Sequence, residues 1–141
     1  MVNQNPQPEV YTTRHAFTTA ATQGTNATTQ IFTNQAHNEE VRIYGLMVNI
    51  VVTASGNTVS ATADEFFDVS IQAGPNRVPS TAFSARNIHR SSSKTLMLSA
   101  PTLALHRQPL QVNVEWTGSS SPATNVTVVV TLLAEMYIKE A

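Results

Sequence analysis

The chain has 141 residues, with 8 basic residues against 9 acidic ones and no cysteine. That length suits one domain able to bury roughly two thirds of its unfolded surface. The lack of cysteine excludes a disulfide framework and thiolate metal sites and fits folding in a reducing cytosol.

The first 37 residues stand apart in composition. They hold Pro6, Pro8, Gly24 and runs of Thr, Gln and Asn, with few large apolar residues beyond Val10, Tyr11, Phe17, Ile31 and Phe32. Such a stretch buries little surface by itself, so residues 1–37 are expected to form an extended polar N-terminal arm. Two short β-compatible pieces lie inside it, Ala16–Ala21 and Thr28–Thr33. Tyr11, Arg14 and Phe17 are the arm's candidate partner contacts. The segment MVNQNPQPEVYTTRH has no apolar core, so a secretory signal peptide is not expected.

From residue 38 onward the signals are those of strands. Val41–Thr53 alternates, with Tyr44, Leu46, Val48, Ile50 and Val52 on one side and Val41, Ile43, Met47 and Val51 on the other. Both sides are therefore fairly apolar, and Gly45 marks a bulge or a close backbone approach. Glu65–Gln72 is the next strand, with Phe67, Val69 and Ile71 inward, and Ala73–Asn76 stops it. Val78–Ile88 is less regular. Thr95–Ser99 is a short strand ended by Pro101. Leu110–Thr117 alternates most cleanly, with Leu110, Val112, Val114 and Trp116 facing the core. A β-branched strand then opens at Asn125 and is expected to run to Tyr137. Seven or eight such strands predict an all-β, jelly-roll-like antiparallel β-sandwich over residues 38–141. The apolar stretch near Leu46–Val52 is too short to span a bilayer.

Composition also speaks to surface chemistry. Charged residues make up 12% of the chain, about half the usual ~25%. Solubility rests instead on 19 Thr, 12 Ser, 11 Asn and 8 Gln, together 50 of 141 residues. Such a surface forms neutral hydrogen bonds across an interface without desolvating charges, which suits a protein that meets identical neighbours.

The residues do not spell a catalytic site. His15, His37, His89 and His106 lack metal-ligand spacing and are expected on the solvated surface. No serine sits in a nucleophile-elbow pattern. The cluster Asp64–Asp68 lacks the calcium-loop spacing. No enzyme activity, cofactor or metal is therefore expected. One basic stretch, ARNIHRSSSK, gathers Arg86, His89, Arg90 and Lys94 around three serines, and these four are candidate partner contacts. It lacks interleaved aromatics, so nucleic acid is not the expected partner.

The Val/Thr-rich segments Val41–Thr53, Glu65–Gln72, Leu110–Thr117 and Asn125–Tyr137, separated by Ser/Pro/Gly loops, resemble the small jelly-roll proteins of virus particles. The likeness is greatest to the capsid decoration, or cement, proteins of tailed phages. It covers about a hundred residues as a pattern and contains no diagnostic motif. It implies a homotrimer on a capsid protein lattice, located in the virion and assembled in the host cytoplasm. A small jelly-roll coat protein is the close variant, and a carbohydrate- or receptor-binding module such as a fibre tip is the rival. The rival would be expected to show an exposed aromatic platform.

Overall fold

A computed structural model describes residues 7–33, 39–54, 57–60, 66–73, 76–104, 109–122 and 125–138. Its strands are β1 (Gln7–Phe17), β2 (Asn26–Thr33), β3 (Glu39–Ala54), β4 (Asn57–Ser60), β5 (Phe67–Ala73), β6 (Asn76–Ser84), β7 (Thr95–Ala104), β8 (Pro109–Trp116) and β9 (Val126–Ile138). A five-residue helix, α1 (Ala85–His89), follows β6.

Two antiparallel sheets face each other. One runs β1-β9-β3, with β7 and β4 sharing the far edge of β3, and the other runs β2-β8-β5-β6. The pairings nest: β1 lies on β9, β2 on β8, β3 on β7 and β5 on β6. This is one long antiparallel hairpin rolled onto itself, the jelly-roll sandwich expected from the strand pattern.

Alternation explains which residues fill the space between the sheets. On β8, Leu110, Val112, Val114 and Trp116 are buried, opposite Ala73, Ile71, Val69 and Phe67 of β5. Val126, Val128, Val130 and Leu132 of β9 line the other layer. Each Val, Leu, Ile or Phe among them, fully withdrawn from water, contributes about 1.5–3 kcal/mol.

Strand β3 resolves the ambiguity of its two apolar sides. Its register shifts between Ile43 and Gly45 against both β9 and β7. The bulge changes the parity, so Val41 and Ile43 point inward before it and Leu46, Val48 and Ile50 after it. Strand β7 carries the matching irregularity. Thr102 pairs with Ile43 and Met97 with Gly45, so four β7 residues including Pro101 stand against Tyr44 alone. The strand therefore passes through Pro101 rather than ending before it, because a bulged edge strand does not need the missing N–H.

The expected boundary at residue 38 needs correction. Strand β1 pairs with β9 through eleven residues and β2 with β8 through seven, so residues 7–33 belong to the two sheets. The polar composition misled because only one face of each strand is buried. On β1 that face is Thr13, His15 and Phe17. Residues 1–6 and 34–37, the remainder of the expected arm, lie outside the described residues.

Candidate binding surfaces

The stretch expected to be a basic contact loop is mainly a structural plug. Along the far edge of β3, β7 covers Val41–Met47 and β4 covers Val51–Ala54. Between them, the Val48 N–H donates to the Lys94 carbonyl (3.0 Å) and the Ile50 N–H to His89 Nδ1 (3.1 Å). An acceptor Nδ1 leaves the proton of the neutral ring on Nε2. Lys94 takes a left-handed backbone conformation, φ 53°, and its ammonium donates to the His89 carbonyl at 2.9 Å. His89 is buried, so it is a core residue and not a surface contact. Arg86 and Arg90 remain exposed on the outside of this plug.

The contacts expected on β1 also separate. Phe17 is buried and its ring packs tilted against Phe67 at 4.9 Å, which meets Trp116 at 5.0 Å, so it closes one end of the core. Tyr11 is partly buried against the core, and Arg14 points outward. His15 is buried too, against the expectation of a solvated histidine. Its Nδ1 donates to the Ala27 carbonyl of β2 at 3.1 Å, and its Nε2 lies 2.8 Å from the Thr13 hydroxyl. It thereby ties the edge of one sheet to the other. Burial outweighs the bond to Ala27 and lowers its pKa below 6.5. His37 and His106 lie outside the described residues.

The outer face of β1-β9-β3-β7 carries an apolar band. Val10, Leu133, Gly45 and Met97 form one row across four strands. Val10 and Met97 are each 62% exposed, and Met47, one row away, is 37% exposed. Gly45 is required here. A Cβ on it would stand 2.8 Å from Met97 Sδ and 2.9 Å from the Leu96 carbonyl. Towards the end of β9 the band gives way to a self-paired cluster. Arg42 donates to Glu40 at 2.7 Å and lies 4.1 Å over the Tyr137 ring, while the Tyr137 hydroxyl donates to Glu135 at 2.9 Å. The hydrogen bond with Tyr44, then the one to Glu135, pushes the Tyr137 pKa up to about 12.

The outer face of β2-β8-β5 is polar instead. Asn26, Thr28, Gln111, Asn113, Glu115, Ser70 and Gln72 surround a shallow hollow of about 240 Å³. Thr28 donates to Asn113 at 2.7 Å, and the Asn113 amide donates to Asn26 at 3.1 Å.

A third feature is an open groove of about 430 Å³ beside Trp116, rimmed by Gln23, Phe66, Thr117 and Ser119–Ser121. Phe66 is 50% exposed, because Phe67, its neighbour at the start of β5, takes the inward direction. Its ring meets Trp116 nearly perpendicularly, 82° at 6.0 Å. The loop is fixed from several sides. Thr117 N–H donates to the Phe66 carbonyl (2.8 Å), Trp116 Nε1 to the Ser120 carbonyl (3.1 Å), and Gln23 Nε2 to the Thr117 carbonyl (3.3 Å). Gly118 lies flat on the indole, where any Cβ would overlap the ring. The sequence places Trp116 in the core and marks none of the groove residues as a binding site. The usable signal was the doubled Phe66-Phe67 at a strand start, where one ring must face out.

Among the described residues, no three His, Asp or Glu side chains come together as a metal site. No family model matches this chain, and no curated protein matches it in sequence.

Proposed function

We propose that this chain is a non-enzymatic structural protein of a virus particle, a capsid decoration or cement protein that stabilises the shell by binding between capsomers. The observation that carries the proposal is the apolar band on the outer face of β1-β9-β3-β7. Val10 and Met97 each keep 62% of their surface in water there, at either end of a row spanning the sheet. Covering such a row with the apolar surface of a shell protein yields about 25 cal/mol for each Å² removed from water. The same weak contact, repeated over a lattice and shared by the copies of a homotrimer, adds up by multivalency. A band without acidic residues, on a chain of low total charge, also avoids the desolvation penalty that charged interfaces carry.

Deleting residues 1–37 is a poor test, because it removes β1 and β2 from the two sheets. Quantitative mass spectrometry of particles purified from the encoding virus is direct. The chain is expected at a fixed ratio to a separate, more abundant shell protein. Absence from the particles overturns the proposal. Recovery as the most abundant shell component favours the coat-protein variant instead.

A further inference from the structure

We propose that the groove beside Trp116 is a binding site for a neutral sugar, with the Phe66 ring as its stacking platform. The argument starts from an energetic oddity. Phe66 keeps 50% of its surface in water, although the neighbouring aromatic cluster of Phe17, Phe67 and Trp116 is closed. An exposed ring beside a concave surface is what a ligand with an apolar face gains most from covering.

The rest of the groove sets the ligand's chemistry. Its polar rim consists of Gln23, Thr117 and the three serines 119–121, and no described lining residue is ionisable. Gln23 uses its amide N–H₂ on the Thr117 carbonyl, which leaves its Oε1 as an acceptor. Ser119, Ser120 and Ser121 are exposed, and each hydroxyl both donates and accepts. One aromatic wall with a neutral, bifunctional rim complements a molecule with a C–H face and a ring of hydroxyls. A sugar has that chemistry. Anions and cations find no counter-charge among these residues.

The site is also prepared in advance. The bonds Thr117 to Phe66, Trp116 to Ser120 and Gln23 to Thr117 hold the rim, and Gly118 seats it on the indole. Binding therefore orders little, which matters for a small ligand whose total gain is modest. At about 430 Å³ the groove lies at the small end of the ~300–1,000 Å³ of small-molecule sites, room for one or two sugar units. It is built on the sheet opposite the apolar band, so it does not depend on the shell-binding proposal.

The test uses the full chain on an array of neutral and acidic oligosaccharides, followed by ¹H–¹⁵N NMR titration with the strongest neutral binder. Binding confined to neutral glycans is expected, with shifts at Gln23, Phe66 and Ser119–Ser121. Phe66→Ala should weaken it at least about tenfold, and Phe66→Tyr should keep it within about threefold. Far-UV circular dichroism of both variants checks the fold, which is expected to stay intact because Phe66 is half exposed. The proposal is overturned by the absence of any neutral binder at millimolar concentration, by equal binding of Phe66→Ala, or by shifts that map elsewhere. Preference for a proline-rich peptide in a parallel titration also overturns it.

Discussion

The two outer faces of this sandwich both belong to sheets whose strands bury one side, yet their outward residues have opposite relations to water. On β2-β8-β5 the outward positions are Asn, Thr, Gln, Ser and Glu, and Thr28, Asn113 and Asn26 bond to one another in a chain. On β1-β9-β3-β7 a row runs Val10, Leu133, Gly45, Met97, with Met47 beside it. Covering the first face means replacing good hydrogen bonds to water, whereas covering the second releases water from apolar surface. The contrast says which side of the molecule gains by being covered. It also shows that an outward position on a strand need not be polar.

The sharpest way to break that contrast is at Gly45. Valine there would press on the Leu96 carbonyl, a backbone atom that moves only with the strand, as well as on Met97. Gly45→Val is expected to cost about 2–3 kcal/mol in urea unfolding. A smaller loss than 1 kcal/mol would mean that β3 and β7 do not approach as closely as the band requires.

Next in size is the pH dependence set beneath the band by His15. Its pKa is lowered in the folded state, so between that value and 6.5 the unfolded chain binds more protons. The stability His15 supports is full above 6.5 and is lost as pH falls through the folded pKa. Urea midpoints measured from pH 7.5 to 4.5 should decline across this window, and His15→Gln should flatten that part of the decline. An unchanged slope in the variant would place the titrating group elsewhere.

On the polar face the effects should be slight. Asn113→Ala removes the bond from Thr28 and the bond to Asn26, but water reaches both partners. The expected loss is about 0.5–1 kcal/mol by thermal unfolding. A loss above 2 kcal/mol would show that this face is a cooperative network and not a solvated one.

How much of this was readable beforehand depends on whether alternation was undisturbed. Strand β8 was legible residue by residue, because Leu110 to Trp116 keep a strict period of two. Strand β3 was legible as a strand, but its core set was not, since the bulge at Gly45 exchanges the two sides midway. Strand β1 was mistaken for arm because Thr13 and His15 are polar yet buried, and their partners come from distant β9 and β2. His89 looked like part of a basic loop, and only the gap between β7 and β4 reveals its duty to the Ile50 N–H. Tertiary partners decided each of these, and composition carries no record of them. The Phe66 groove joins residues from three separate stretches of chain, so the doubled Phe66-Phe67 announces an outward ring but not the groove around it.

The smallest effect on stability is also the most informative about the band. Val10 and Met97 are mostly in water, so Val10→Thr with Met97→Gln removes little buried area and should shift folding by no more than about 0.5 kcal/mol. Retention on a hydrophobic interaction column should nonetheless fall, because the two residues terminate the same row across the sheet. If the doubly substituted chain also fails to join particles while Asn113→Ala still does, the two faces differ in use as well as in chemistry. Equal incorporation of both would leave the apolar row a tolerated exposure and remove the observation on which the proposed shell contact rests. Stability and attachment separate here because the exposed atoms contribute almost nothing until a partner covers them.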